Sequence, residues 1–145
     1  MRLVAPERRN AFFVPTGYIN CDIDRDLSIE IRAPYDGPIP LCGSSSNFDL
    51  EVSLTNNGNQ EVFGFNLSYK VDANPAVTEL VSDTIPAGAT WNYTFAQSSI
   101  AISTSPIEIT AYHEYLDDQD KYNDTVVAHP IGYNSTIQLI PWSDN

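Results

Sequence analysis

Phe63-Gly64-Phe65-Asn66-Leu67-Ser68-Tyr69-Lys70-Val71 carries an apolar side chain at every second position. A period of two belongs to a strand with one dry face and one wet face, because successive side chains leave opposite sides of the pleat. The same pattern recurs on both sides. Leu27, Ile29, Ile31 and Ala33 alternate with Ser28, Glu30 and Arg32, and Phe48, Leu50, Val52 and Leu54 with Asp49, Glu51, Ser53 and Thr55. Downstream, Trp91, Tyr93 and Phe95 alternate with Asn92 and Thr94, and Ile107, Ile109, Ala111, His113 and Tyr115 with Glu108, Thr110, Tyr112 and Glu114. No comparable stretch has the i, i+3, i+4 spacing of an amphipathic helix. The fold class is therefore all-β, built from antiparallel sheets with one face turned inward.

Turn chemistry separates these runs. Asn56-Asn57-Gly58-Asn59 tolerates positive φ, Pro86-Ala87-Gly88 divides a strand near 77–82 from the Trp91 strand, and Asp117-Asp118-Gln119-Asp120 leads to a last strand near Thr125. The count is about seven strands at the spacing of a β-sandwich. Phe65, Tyr69, Trp91, Tyr93 and Phe95 are the expected buried aromatic anchors. Residues 1–25 alternate little and read as an extended lead-in or linker, 26–140 as the sandwich, and 141–145 as the start of a linker to a following domain. Residues 34–47 read as a long loop, and a bend at Pro130 and Gly132 lets 131–141 continue the last strand.

The 145 residues fit one domain with a sizeable core. Lys and Arg together number 7 against 19 Asp and Glu, a net charge of −12. Arg2, Arg8, Arg9, Arg25 and Arg32 all lie in the first 32 positions, so the rest of the sandwich is more acidic still. Such a surface cannot displace counterions from phosphate, so nucleic acid is excluded as a partner, and it repels anionic lipid. No apolar run reaches the roughly 18 residues that cross a bilayer, so membrane insertion is not expected. The opening residues lack the apolar stretch of a signal peptide, so the chain is either cytoplasmic or a piece of a longer, exported parent. Cys21 and Cys42 allow one disulfide or two free thiols, and no further Cys or His stands at zinc spacing.

In order and spacing, the stretches Asp26–Pro34, Leu50–Gly58, Phe63–Val71, Ile85–Phe95 and Asp117–Thr125 resemble the CARDB-like immunoglobulin-fold modules of Bacteroidetes-type secreted and cell-surface proteins. The resemblance covers 26–128. It implies an immunoglobulin-like antiparallel β-sandwich, repeated within long adhesins, hydrolases or other envelope proteins and often followed by a jelly-roll domain. It brings no catalytic residues and no cofactor. It also implies that Asp83-Thr84-Ile85 and Asp124-Thr125-Val126 match an Asp-Thr-aliphatic O-glycosylation pattern, with Thr84 and Thr125 as acceptors.

Other chemistry is sparse. Asp117, Asp118, Asp120, Asn123 and Asp124 offer oxygen ligands of the kind calcium takes, without the glycine and distant bidentate Glu of an EF-hand; the other reading is a hairpin whose Asp and Asn bond their own backbone. His113 falls on an inward register with no Ser, Cys or orienting acid at triad spacing, which makes it a structural histidine. His129 precedes a bend, and a His113–His129 metal pair has little behind it. A glycosidase needs two carboxylates across a cleft, which a small sandwich does not provide. Tyr18, Tyr112, Tyr122, Tyr133 and Trp142 read as rim packing or as a sugar-stacking platform, and Asn66, Asn92, Asn123 and Asn134 head N-glycosylation sequons.

Taken together, these features lead to the expectation of a non-catalytic spacer or presentation module, not an enzyme, in a secreted, adhesin-like multidomain surface protein. Its partners would be neighbouring domains of the same polypeptide, with glycans or cell-surface proteins as further candidates. The alternative is a carbohydrate- or protein-binding module attached to a secreted hydrolase.

Overall fold

A computed structural model describes residues 23–43 and 45–134, and every regular element among them is a strand. In chain order these are β1 (Leu27–Ala33), β2 (Gly37–Leu41), β3 (Ser45–Phe48), β4 (Glu51–Asn56), β5 (Phe65–Val71), β6 (Val77–Val81), β7 (Thr90–Thr94), β8 (Ile100–Ser103), β9 (Ile109–Glu114), β10 (Thr125–Ala128) and β11 (Pro130–Asn134). One sheet has the order β1-β4-β7, the other β10-β9-β5-β6, and all their pairings are antiparallel. The seven strands read from alternation are these two sheets. Leu50, Val52 and Leu54 from one side and Leu67, Ile109 and Ala111 from the other belong to a single apolar core. Each comes from the dry register of its strand, so burial follows directly from the period of two.

Residues 34–47 are not simply a loop. Pro38 and Pro40 point outward while Ile39 and Leu41 are buried, and this segment forms β2, which pairs in parallel with β11. Proline has no N–H for a central ladder but is accepted on an edge strand, where one row of backbone groups needs no partner. The serines that follow enter β3, paired with β8, whose Ile100 and Ile102 reach the core. These two ribbons add four strands to the seven. Between them, Gly132 of β11 leaves no room for a Cβ, which would lie 2.5 Å from Leu41 Cδ1 and 2.7 Å from the Ser103 carbonyl oxygen.

Three side chains fall short of the burial that alternation predicts. Gly64 has φ +68°, a conformation that resets the pleat, so Val62 turns inward and Phe63 is 56% exposed instead of buried. Trp91 and Tyr93 are half-buried, because β7 is the outer strand of its sheet. They continue an aromatic ladder with centroids 5.5 Å apart for Trp91–Tyr93, 5.4 Å for Tyr93–Phe95 and 4.8 Å for Tyr69–Phe95. Across the open side of the sandwich, Glu79 of β6 accepts hydrogen bonds from Tyr93 Oη and from the backbone N–H groups of Ala96 and Gln97. Burial first, and this bond second, push the Tyr93 hydroxyl up to about 12.

Candidate functional site

The functional-site candidate is a buried polar cluster at one end of the sandwich, where the chain enters β1 and the β9–β10 loop folds back over it. Two turns shape that loop. Asp118 Oδ1 accepts from Asp120 N at 2.8 Å, and Asp120 Oδ1 accepts from Tyr122 N at 3.1 Å. Asp and Asn favour such bonds because their short side chains reach a backbone amide two residues on. The first turn drives Asp118 inward, where Oδ2 accepts from Leu27 N at 2.8 Å. Gln119 then stitches loop to entry segment. Its Oε1 accepts from Asp24 N at 2.7 Å and Arg25 N at 3.3 Å, and its own N–H donates to the Arg25 carbonyl at 2.9 Å. Asn123 Nδ2 donates to Asp26 Oδ1 at 2.8 Å, and Ile29 N donates to the Asn123 carbonyl at 3.2 Å.

His113 sits beneath this loop with its side chain fully enclosed. Nδ1 accepts from Tyr115 N at 3.4 Å, so the neutral ring carries its hydrogen on Nε2, which donates to the Leu27 carbonyl. Around the same nitrogen stand Asp124 Oδ1 at 3.3 Å and Asp118 Oδ2 at 3.9 Å. Lys121 Nζ is 3.4 Å from Asp124 Oδ2 and donates to the Tyr115 carbonyl at 2.7 Å. Burial holds the His113 imidazole below the ordinary histidine range, outweighing the pull of Asp124, the Leu27 carbonyl and Asp118 in the other direction. Burial likewise raises Asp118, against the two N–H groups that favour its charged form. Asn123 Oδ1 and Asp124 Oδ1 are enclosed without a hydrogen-bond donor.

The five loop residues considered for calcium go separate ways. Asp117 faces Arg25 at 3.6 Å on the surface, Asp118 and Asp120 hold backbone amides, Asn123 faces Asp26, and Asp124 faces His113 and Lys121. Ligand atoms of His113, Asp118 and Asp124 do lie within 4.8 Å of one another. As a metal centre that set has a mismatch: the imidazole hydrogen occupies the nitrogen that faces the carboxylates, and the ammonium of Lys121 already sits on one of them.

His129 lies elsewhere, exposed, with Nε2 3.4 Å from Glu108 Oε2 and Nδ1 4.0 Å from Asp36 Oδ1. Thr84 and Thr125 are exposed, the first in the turn before Ile85 and the second at the start of β10. Asn66 and Asn92 are exposed on outward registers, Asn134 is exposed on β11, and Asn123 is partly buried in the cluster. Cys42 is exposed after β2, while Cys21, Tyr18 and Trp142 lie outside the described residues. Tyr122 and Tyr133 are exposed on different elements, and Tyr112 is half-buried in β9. A shallow groove runs between Arg25, Asn66 and Asp117, flanked by Phe63 and by Leu116, which is 91% exposed.

Asp26 and Gln119 escaped the sequence reading. Each acts on a partner 97 or 95 residues away, and no local spacing marks such a contact.

No protein-family model and no curated protein matches the chain. Among solved structures, the solution NMR structure of the CARDB domain of PF1109 from Pyrococcus furiosus is similar, with a TM-score of 0.55 and 14% identity over 76% of this chain and 96% of that one. A crystal structure of the same domain in complex with di-metal ions aligns with a TM-score of 0.49 and 12% identity over 77% of this chain and 94% of that one. In its fold, the chain is a CARDB-like, immunoglobulin-type β-sandwich.

Proposed function

We propose that the chain is a non-catalytic immunoglobulin-like module that spaces or presents neighbouring domains of a secreted, adhesin-like surface protein. The observation that carries this reading is the state of the buried polar cluster. His113, Asp118 and Gln119 are turned toward backbone groups of the entry segment and hold the end of the domain together, an arrangement suited to fixing how the chain enters the sandwich. The neighbour in fold is itself described as a domain of a named protein, which agrees with a modular role. The strong negative charge suits a dispersed extracellular protein, since like charge opposes self-association. The exposed Thr84 and Thr125 would be open to O-glycosylation in that setting.

The test is to place the full chain between two rigid reporter domains and measure their separation by small-angle scattering. A spacer holds one narrow distance distribution. A broad distribution like that of a flexible linker of equal length overturns the reading. Fractionation of cells expressing the parent protein tests the surface location.

A second reading, a carbohydrate- or protein-binding module attached to a secreted hydrolase, draws on Phe63 and Leu116, two exposed apolar side chains flanking a groove that Arg25 and Asp117 also line. A glycan array in which Phe63→Ala abolishes a saturable signal would favour it.

A further inference from the structure

A neutral His113 has one hydrogen to give, and three oxygens surround the nitrogen that holds it: the Leu27 carbonyl, Asp124 Oδ1 and Asp118 Oδ2. The other nitrogen, Nδ1, faces the Tyr115 N–H as an acceptor. A second proton on the ring must therefore sit on Nδ1, donor against donor, at the point where the loop leaves β9. The imidazolium so formed also attracts the two carboxylates. Asp118 Oδ2 stands 3.9 Å from Nε2 while it accepts from Leu27 N, so a closer approach to the charged ring strains the bond that folds the loop back onto β1. Closure of the loop and a charged His113 thus make opposing demands on the same atoms.

We propose that His113 makes the β9–β10 loop a proton-operated clasp on the entry to β1, closed at neutral pH and open in mild acid while the apolar core stays folded. Among the described residues, the groups that face the ring are few. The entry to β1 brings the Leu27 carbonyl, with Asp26 beside it on Asn123; the loop brings Asp118, Lys121 and Asp124; the residue after β9, Tyr115, brings its N–H; and β5 brings the Phe65 ring, edge-on at 6.1 Å between centroids. Desolvation dominates this balance, so the ring is neutral at pH 7 and gains its proton below the ordinary histidine range of about 6.5. Further bonds join the loop to the entry segment: Gln119 to Asp24 and Arg25, Asn123 to Asp26, and Arg25 to Asp117. The core residues Val52, Leu54 and Leu67 carry no titratable group, and nothing in that region responds to the same proton. The inference concerns the domain itself and does not depend on what it spaces or binds.

The experiment is amide hydrogen exchange of the full chain at pH 7.5 and pH 5.0, corrected for the intrinsic pH dependence of exchange. Protection at Leu27, Tyr115 and Gln119 is expected to fall by on the order of tenfold in acid, while Val52, Leu54 and Leu67 keep theirs. In His113→Gln, an amide replaces the ring and can donate to the Leu27 carbonyl but does not titrate, so protection at Leu27 and Gln119 becomes independent of pH. Unchanged protection in the parent at pH 5.0, an equal fall in His113→Gln, or a fall shared by Val52 and Leu54 would each overturn the proposal. Should His113→Gln not fold, ring nitrogen shifts of the unaltered chain decide: the His113 midpoint must coincide with the loss of protection at Leu27, and a gap of more than about one pH unit refutes the clasp.

Discussion

The two ends of β9 bury side chains equally well for different reasons. Near its start, Ile109 and Ala111 pack against Leu54, Leu67 and the rest of an apolar core that needs only to leave water. Near its end, His113 is as deeply enclosed but lies among carboxylates, an ammonium and a row of backbone amides. Burial stabilises the first region without conditions. In the second it stabilises only one protonation state, because desolvation penalises charge that the apolar end does not carry. Strand register decides which residues are enclosed; pH decides how firmly the second set is held.

Perturbing each region separates the two kinds of burial. Leu54→Ala, in the fully enclosed centre, is expected to cost about 3 kcal/mol in urea unfolding, by the same amount at pH 7.5 and 5.5. Asp118→Ala strips the acceptor from Leu27 N and Asp120 N and is expected to cost about 2 kcal/mol at pH 7.5. Wild-type stability itself should depend on pH. The folded-state pKa of His113 lies below its unfolded value, so its share is present above about pH 6.5 and is lost as the pH falls through the folded value. Asp118, raised in the fold, works the other way and offsets part of that loss at still lower pH. His113→Gln should therefore flatten the slope between pH 7 and 5; a slope of unchanged size would show that other groups set it.

At the opposite, open side, Tyr93→Phe removes one hydrogen bond to Glu79 and should cost about 1 kcal/mol, with loss of a phenol titration centred at about 12 in the ultraviolet spectrum. Arg25→Ala breaks a surface pair at 3.6 Å and should change stability by less than about 0.5 kcal/mol, read from the same urea curves.

The contrast also explains what the sequence could tell. Strands of the two main sheets were legible because alternation is a local property, carried by runs such as Leu27–Ala33 and Ile109–Glu114. β2 alternates as well, but two of its outward positions are prolines, which read as loop until the parallel partner β11 supplies the context. β3 presents serines, whose strand state rests on β8 rather than on their own propensity. Phe63 was misread because a single glycine with positive φ shifts the face on which every earlier residue lies. At the site, the inward register of His113 was visible. Its surroundings were not, since Asp26, Asp118 and Gln119 meet only after the chain has closed on itself, and the nearest signal, a run of acidic turn residues, equally describes an empty hairpin.

The parallel pairing of β2 with β11 bears on how the domain would carry a load. Antiparallel neighbours joined by a tight turn peel apart rung by rung when pulled. Here one strand follows β1 near the start of the described chain and the other closes its far end, and both run in the same direction. A pull between the start of β2 and the end of β11 would slide them lengthwise past each other, straining the whole ladder from Gly37 to Leu41 at once.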